Sequence, residues 1–139
     1  MAQICPLRRA PITEAIIDFR VIANERITAE SIDSRLQAQD FGYYKKGPIV
    51  RGVFGFQLST EAGGRAGALP SAARAIGGRL HSDDEKYVAQ FSTEGFTLSR
   101  LEPYETWDKL FREATRLWPI YAALVEPSVV TRAATRYIN

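Results

Sequence analysis

The arginines are the residues of this sequence whose types and spacing could most directly do chemistry. Four of them fall in segments with strand-like patterns: Arg20, Arg100, Arg132 and Arg136. Arg132 and Arg136 share a face, because alternate residues of a strand point the same way. Guanidinium groups match carboxylate and phosphate in shape and charge, so an arginine-lined sheet face predicts a site for a small anion or a nucleotide.

A blander interpretation of the same arginines is a solvated sheet face. Asp18 and Arg20 alternate on one strand, and exposed ion pairs between such residues contribute little to stability. Tyr104 is added to the candidate ligand site, because a tyrosine hydroxyl needs a polar partner when it is buried. Both interpretations stay open at this point, with the solvated face favoured.

His81 is the other residue that could take part in acid–base chemistry. It precedes Asp83, Asp84 and Glu85, and a histidine beside carboxylates can act as a general base or hold a metal ion. The stretch from Ser82 to Glu85 is typical of a hairpin turn, where such residues serve backbone geometry. We therefore predict a turn, and rank a hydrolase that uses His81 and Asp83 last.

Glycines suggest a phosphate-binding loop, but their spacing does not support one. Gly63, Gly64 and Gly67 lack the Lys-Ser/Thr of a P-loop and the G-x-G-x-x-G of a dinucleotide-binding turn. The segment at about 60–74 is predicted to be a flexible loop. Cys5, close to the N-terminus, is expected to be inert, so we predict no catalytic residue, no metal ligand and no cofactor.

Composition narrows the class of protein. The 139 residues carry 18 basic and 16 acidic side chains, a net charge of +2, which makes nucleic acid an unlikely partner. One cysteine excludes an internal disulfide and suits a reducing cytoplasm. The apolar runs are too short to span a membrane. The length fits one domain, here residues 1–139.

Periodicity predicts the elements that position these residues. Alternation over 15–21 indicates a strand, and Thr28 can cap a helix that carries Ile32 and Leu36 on one face. Residues 41–48 are predicted as a connecting turn region, followed by a strand over 49–58 that contains two glycines.

The second half of the sequence has stronger patterns. Strands are predicted over 74–81, 86–91 and 95–101, joined by hairpin turns. A long amphipathic helix follows over 107–125; its aromatic stripe is predicted to be core, and Pro119 to kink it. A last strand covers 129–138. The order strand, helix, four strands, helix, strand predicts an α+β fold with a twisted, mostly antiparallel sheet and two helices packed on one face.

Several ordered segments resemble one known family. They are Pro6-Leu7, Ala10-Pro11-Ile12, Glu14 to Arg20, Ser82-Asp83, Gln90-Phe91, Gly95-Phe96, Leu98 to Leu101, Pro103 to Trp107, Leu117-Trp118 with Tyr121, Arg132, and Arg136 to Asn139. Together they resemble a sporadically distributed, uncharacterised family of prokaryotic cytosolic proteins. Its members are typically about twice this length, so the chain matches an N-terminal half and is expected to be a natural short form or a fragment.

The functional expectation follows from the last strand and from the lack of a catalytic constellation. Thr131 to Ile138 is β-prone and contains neither proline nor lysine, which normally protect a sheet edge. We expect a non-catalytic binding module that engages another protein or, more specifically, a second copy in a homodimer that buries Tyr137 and Ile138. The alternative is a protein that binds a small anion or nucleotide on its arginine face, and a degenerate enzyme would be one protein of this kind.

Overall fold

The computed structural model describes residues 11–51 and 74–139. Their elements are β1 (Glu14–Ile22), α1 (Ala29–Gln37), β2 (Tyr43–Arg51), β3 (Arg74–Ser82), β4 (Tyr87–Ser92), β5 (Gly95–Leu101), α2 (Trp107–Val125) and β6 (Val129–Ile138). The predicted order of strand, helix, four strands, helix and strand is confirmed.

The strands form one antiparallel sheet in the order β2-β3-β4-β5-β1-β6. β1 therefore lies between β5 and β6, although both follow it late in the chain. Both helices pack on the same face of this sheet, so the α+β prediction is also confirmed. Within the described residues, β2 and β6 are the two edges of the sheet.

Strand β1 shows how alternation builds the core. Ala15, Ile17 and Val21 point toward the helices and are buried, as the sequence pattern predicts. On β5, the buried side chain of Leu98 lies opposite Ile17, and that of Phe96 lies opposite Phe19. The even-numbered residues of β1 face the other side of the sheet.

Each helix begins at a threonine cap. The Thr28 hydroxyl accepts from the Ser31 N–H, and the Ser31 hydroxyl accepts from the Thr28 N–H, which satisfies two otherwise unpaired donors at the start of α1. Thr106 caps α2 through the N–H of Lys109. Pro119 lies inside α2, and the helix continues through it to Val125.

Tyr121 fastens α2 to the sheet. Its ring lies 5.6 Å from the rings of both Phe91 and Phe96, and its hydroxyl donates to the Ser92 carbonyl at 2.9 Å. Burial raises the pKa of this hydroxyl well above its usual value. The hydrogen bond satisfies the buried phenol, so the aromatic core carries no unpaired hydroxyl at this point.

One boundary prediction is wrong. Residues 43–48, predicted as part of a turn region, already belong to β2, which begins at Tyr43 instead of residue 49. The register of β2 on β3 shifts between Lys45 and Gly47 and again between Ile49 and Val50. An edge strand with bulges tolerates the glycine and proline that suggested a turn. The predictions for Cys5, for residues 52–58 and for the glycine loop before Arg74 lie outside the described residues.

The close pairing of β3 and β4 generates a stability prediction. A Cβ at Gly77 would lie 2.0 Å from the Phe91 carbonyl oxygen, whereas a Cβ at Gly47 meets nothing within 4 Å. We expect Gly77→Ala to lower the free energy of unfolding by about 3 kcal/mol, since backbone must move. Gly47→Ala should change it by less than about 1 kcal/mol. Urea denaturation of both variants checks this, and equal losses would contradict it.

Candidate functional site

The structure divides the four predicted arginines between the two faces of the sheet. Arg20 and Arg132 are opposite each other in the ladder of β1 and β6, and Arg136 lies opposite Ile16. These positions are on the face away from the helices. Arg100 is in register with Ala15, on the helix side. Arg100 therefore lies on the opposite face from Arg20, Arg132 and Arg136.

Arg100 is a buried structural residue. Its Nε and Nη2 donate to the Pro103 carbonyl at 3.2 and 3.1 Å, and Nη2 also reaches Glu105 at 3.2 Å. The guanidinium lies 4.8 Å from the centre of the Tyr87 ring, a cation–π contact. These partners occupy the donors that an anion would need, and they hold the connection between β5 and α2.

Asp18 is a buried charged group on the opposite face, with 2% of its surface exposed. Its Oδ1 accepts from the Thr97 hydroxyl at 2.7 Å. Its Oδ2 lies 3.4 Å from Nε of Arg20 and 3.5 Å from Nη2 of Arg132. Two of the candidate arginines therefore neutralise a carboxylate of the protein itself, as the interpretation of a face with internal ion pairs requires. Among the described residues, Arg136 forms no ion pair.

Tyr104 lies with Tyr137 instead of with the arginine face. The two rings meet edge to face at 5.8 Å. Tyr137 is in register with Ala15, which places it on the helix side of β6. Burial raises the pKa of Tyr104 to about 12. Tyr137 itself is 48% exposed, so this pair presents an aromatic surface at the end of the sheet edge.

His81 belongs to β3 and not to the turn that follows it. Its ring Nδ1 lies 3.0 Å from Glu85, and Lys46 approaches the same carboxylate at 3.3 Å. Its Nε2 is buried without a hydrogen-bond partner among the described residues. Burial lowers the pKa of His81, so its neutral form is favoured. The carboxylate in contact is Glu85 and not the Asp83 named in the hydrolase hypothesis.

No group of three or more histidine, cysteine, aspartate and glutamate side chains is arranged to hold a metal ion within residues 11–51 and 74–139. Two other features could form a binding surface: the outer edge of β6, and the exposed aromatic side chains of α2 beside it. Sequence reasoning singled out the first of these and assigned the second to the core.

Within the described residues, β6 pairs on one side only, with β1. The Val21 N–H donates to the Glu94 carbonyl at 3.0 Å, which means that odd-numbered residues of β1 bond to β5 and even-numbered ones to β6. The Ile138 carbonyl accordingly accepts from Thr13 at 2.7 Å. Over the regular stretch from Arg132 to Ile138, the N–H and C=O groups of the odd-numbered residues of β6 therefore point outward. They belong to Ala133, Thr135 and Tyr137.

An apolar groove of about 400 Å³ runs between α2 and this edge of the sheet. We call it the edge groove; it is lined by Phe19, Phe111, Ala114, Thr115, Trp118, Pro119 and Val130. Phe111 is 52% exposed, and Trp107, which stacks on it at 5.7 Å, is also exposed. The prediction that the whole aromatic stripe is core is wrong for these two residues.

A signal for the groove was present in the sequence. The buried side of α2 is a single row of small and apolar side chains from Leu110 to Val125. Trp107 and Phe111 extend the apolar stripe beyond that row, making it wider than contact with one sheet surface requires. Excess width of this kind indicates a second contact surface on the same helix.

Neither helix in the described part of the chain is long and apolar enough to cross a membrane. Comparison of the chain with protein-family models, curated proteins and solved structures finds no match in any of the three. The family resemblance therefore stays a prediction.

The lowered pKa of His81, the only histidine of the chain, predicts a pH dependence. Above its unfolded pKa of about 6.5 both states are neutral; as the pH falls below it, the unfolded chain binds the proton first and stability is lost. His81→Gln should lose less free energy of unfolding than the wild type between pH 7.5 and 5.5. Urea denaturation at both pH values measures this. A wild type that gains stability over that range would contradict it.

The Asp18 cluster predicts an energetic coupling. Arg132→Ala should cost about 1 kcal/mol, because it removes a cation from a buried carboxylate, but nearly nothing in an Asp18→Asn background. Arg136→Ala, on the same strand and face, is the matched control and should show no coupling to Asp18→Asn. A double-mutant cycle by chemical denaturation provides the measurement. Additive effects for Arg132 and Asp18 would count against the cluster.

Proposed function

We propose that this domain is a non-catalytic interaction module that self-associates by pairing β6 with β6 of a second copy. The observation that carries the proposal is the state of β6: all but one of its residues are exposed, and its odd-numbered backbone groups point outward. Strand addition at such an edge gives these outward groups hydrogen-bond partners. A cytoplasmic location, where thiols stay reduced, suits the single cysteine.

The opposite edge of the sheet supports this proposal by contrast. β2 carries Lys45, Lys46 and Pro48 together with two register shifts, and these features hinder edge-to-edge pairing. β6 contains neither lysine nor proline. The same sheet thus protects one edge and leaves the other able to pair.

A second copy is the partner that β6 itself fits. An antiparallel pair of identical strands about a two-fold axis is self-complementary, and two-fold dimers are the commonest oligomers. Exposed apolar side chains accompany the outward backbone groups of this strand, among them Val130, Tyr137 and Ile138. Pairing would bury these side chains and give the backbone groups hydrogen-bond partners. Apolar burial and hydrogen bonding would then both favour association.

The alternative, a small anion or nucleotide bound on the arginine face, has less support. Arg20 and Arg132 already form ion pairs with Asp18, and Arg100 lies on the other face. Arg136 alone lacks the convergent donors that recognise a phosphate or carboxylate.

The proposal predicts a dimer that a charge at the edge disrupts. Wild-type protein at micromolar concentration should have twice the monomer mass by light scattering. Ile138→Lys should shift it to the monomer, because it adds a cation beside Arg132 and Arg136 on the pairing edge. Ile22→Lys, at an isoleucine of β1 that is 56% exposed against 45% for Ile138, is the matched control and should stay dimeric. A monomeric wild type, or a dimer unaffected by Ile138→Lys, would overturn the proposal.

A further inference from the structure

The proposed dimer can pair its two β6 strands in several registers, and the geometry points to one of them. We propose that Thr135 lies on the two-fold axis and that each copy's Tyr137 enters the edge groove of the other. This inference rests on the self-association proposed above and adds which residues meet. Each groove is then completed by a side chain of the partner.

The regular part of β6 sets the first constraint. Its register on β1 shifts between Arg20 and Val21, which leaves Thr131 without a partner in register. The stretch from Arg132 to Ile138 is free of this bulge, and a bulge interrupts any ladder built on it. An antiparallel pair uses the whole regular stretch in both copies only when it is centred on Thr135.

Hydrogen bonding agrees with this centre. Because odd-numbered residues of β6 direct their N–H and C=O groups outward, Thr135 can exchange both hydrogen bonds with the partner's Thr135. Ala133 can do the same with the partner's Tyr137. A two-fold axis perpendicular to the sheet keeps the helix side of one copy continuous with that of the other, so the two grooves lie on the same side.

Charge separates the neighbouring registers. Centring the pair on Ala134 would place Arg132 directly opposite the partner's Arg136, and like charges in that position are unfavourable. Centring it on Thr135 instead places Arg136 opposite the partner's Ala134, and Arg132 opposite the partner's Ile138. Centring it on Ala133 would carry the ladder through the bulge in both copies.

On the helix side of the sheet, the same register brings the partner's Tyr137 close to the edge groove. In the register centred on Thr135, the partner's Tyr137 lies opposite Ala133, a small residue that is in register with Phe19 on β1. The ring of Phe19 lines the edge groove together with Phe111 and Val130. The groove therefore opens where the partner's phenol ring arrives, and Ala133 leaves space for it.

Tyr104 packs against Tyr137 within the same copy and leaves part of the Tyr137 ring exposed. The edge-to-face packing of the two rings at 5.8 Å leaves about half of the Tyr137 surface free. Aromatic side chains that enter a partner's apolar groove commonly dominate the affinity of an interface. Phe111 and Trp118 supply aromatic surface in the groove that receives the ring.

Engineered cysteines test the register in the full chain with Cys5→Ser. At the two-fold axis, paired Cα atoms lie about 5.5 Å apart, within disulfide range, so Thr135→Cys should give a cross-linked dimer after mild oxidation with diamide. Ala133→Cys and Ala134→Cys report the two competing registers. In the proposed one, the two Ala133 positions lie about 14 Å apart, too far for a disulfide. Non-reducing electrophoresis compares the yields.

Tyr137→Ala provides a second readout that needs no cross-link. It should weaken dimerisation about tenfold in Kd by sedimentation, with the Ala133→Tyr variant weakened as well. The doubly substituted chain, which exchanges the two side chains across the interface, should recover affinity toward that of the wild type. A Tyr137→Ala variant with wild-type affinity would overturn the groove assignment.

The outcomes distinguish this inference from the proposal beneath it. Preferential cross-linking of Thr135→Cys supports the register. A dimeric protein that cross-links faster through Ala133→Cys or Ala134→Cys overturns the register and leaves self-association standing. A monomeric wild-type chain overturns both.

Discussion

The contact of Tyr121 with Phe91 and Phe96 fixes the position of α2 over the sheet, and this position determines which part of the sheet the helix covers. The rings pack at 5.6 Å from one another, and the Tyr121 hydroxyl is bonded to the backbone of Ser92 at the end of β4. This contact holds α2 above β4 and β5, near the middle of the sheet. β6 is separated from β5 by the whole of β1, so one helix in this position does not reach it. Within the described part of the chain, the exposed edge at β6 and the groove beside it both follow from where the aromatic core holds the helix.

On the other face of the sheet, the buried carboxylate of Asp18 constrains how β6 pairs with β1. A buried carboxylate needs cations and hydrogen-bond donors, and here one donor comes from β5 and one cation from β6. Sliding β6 by one residue along β1 would carry Arg132 to the wrong side of the sheet and leave that charge with less compensation. The carboxylate thus favours the observed register of an edge strand that few apolar contacts hold. Arg20 and Arg132, which the sequence suggested as ligand-binding residues, therefore help to fix the pairing of β6 with β1.

The elements with long regular patterns could be predicted from the sequence, and the relations between elements could not. β6 runs over the predicted residues 129–138, and α1 begins after the predicted cap at Thr28. The start of β2 was predicted at residue 49 instead of Tyr43, because its glycine and proline are turn formers that an edge strand also accepts. Period-two alternation places Arg100 with Phe96 and Leu98, but only the cross-strand register shows that this side is the helix side. The groove depends on how much of the sheet one helix covers, a property of packing that no local pattern contains.

Both tryptophans of the chain lie on α2, at Trp107 and Trp118, and neither is in the deepest part of the core. Trp118 lines the edge groove, and Trp107 stacks on Phe111 at its rim. Indole emission is sensitive to the polarity around the ring, so the intrinsic fluorescence of the folded protein arises beside the groove. The molecule therefore carries its own optical reporter of whether that groove faces water or is filled, without any added label.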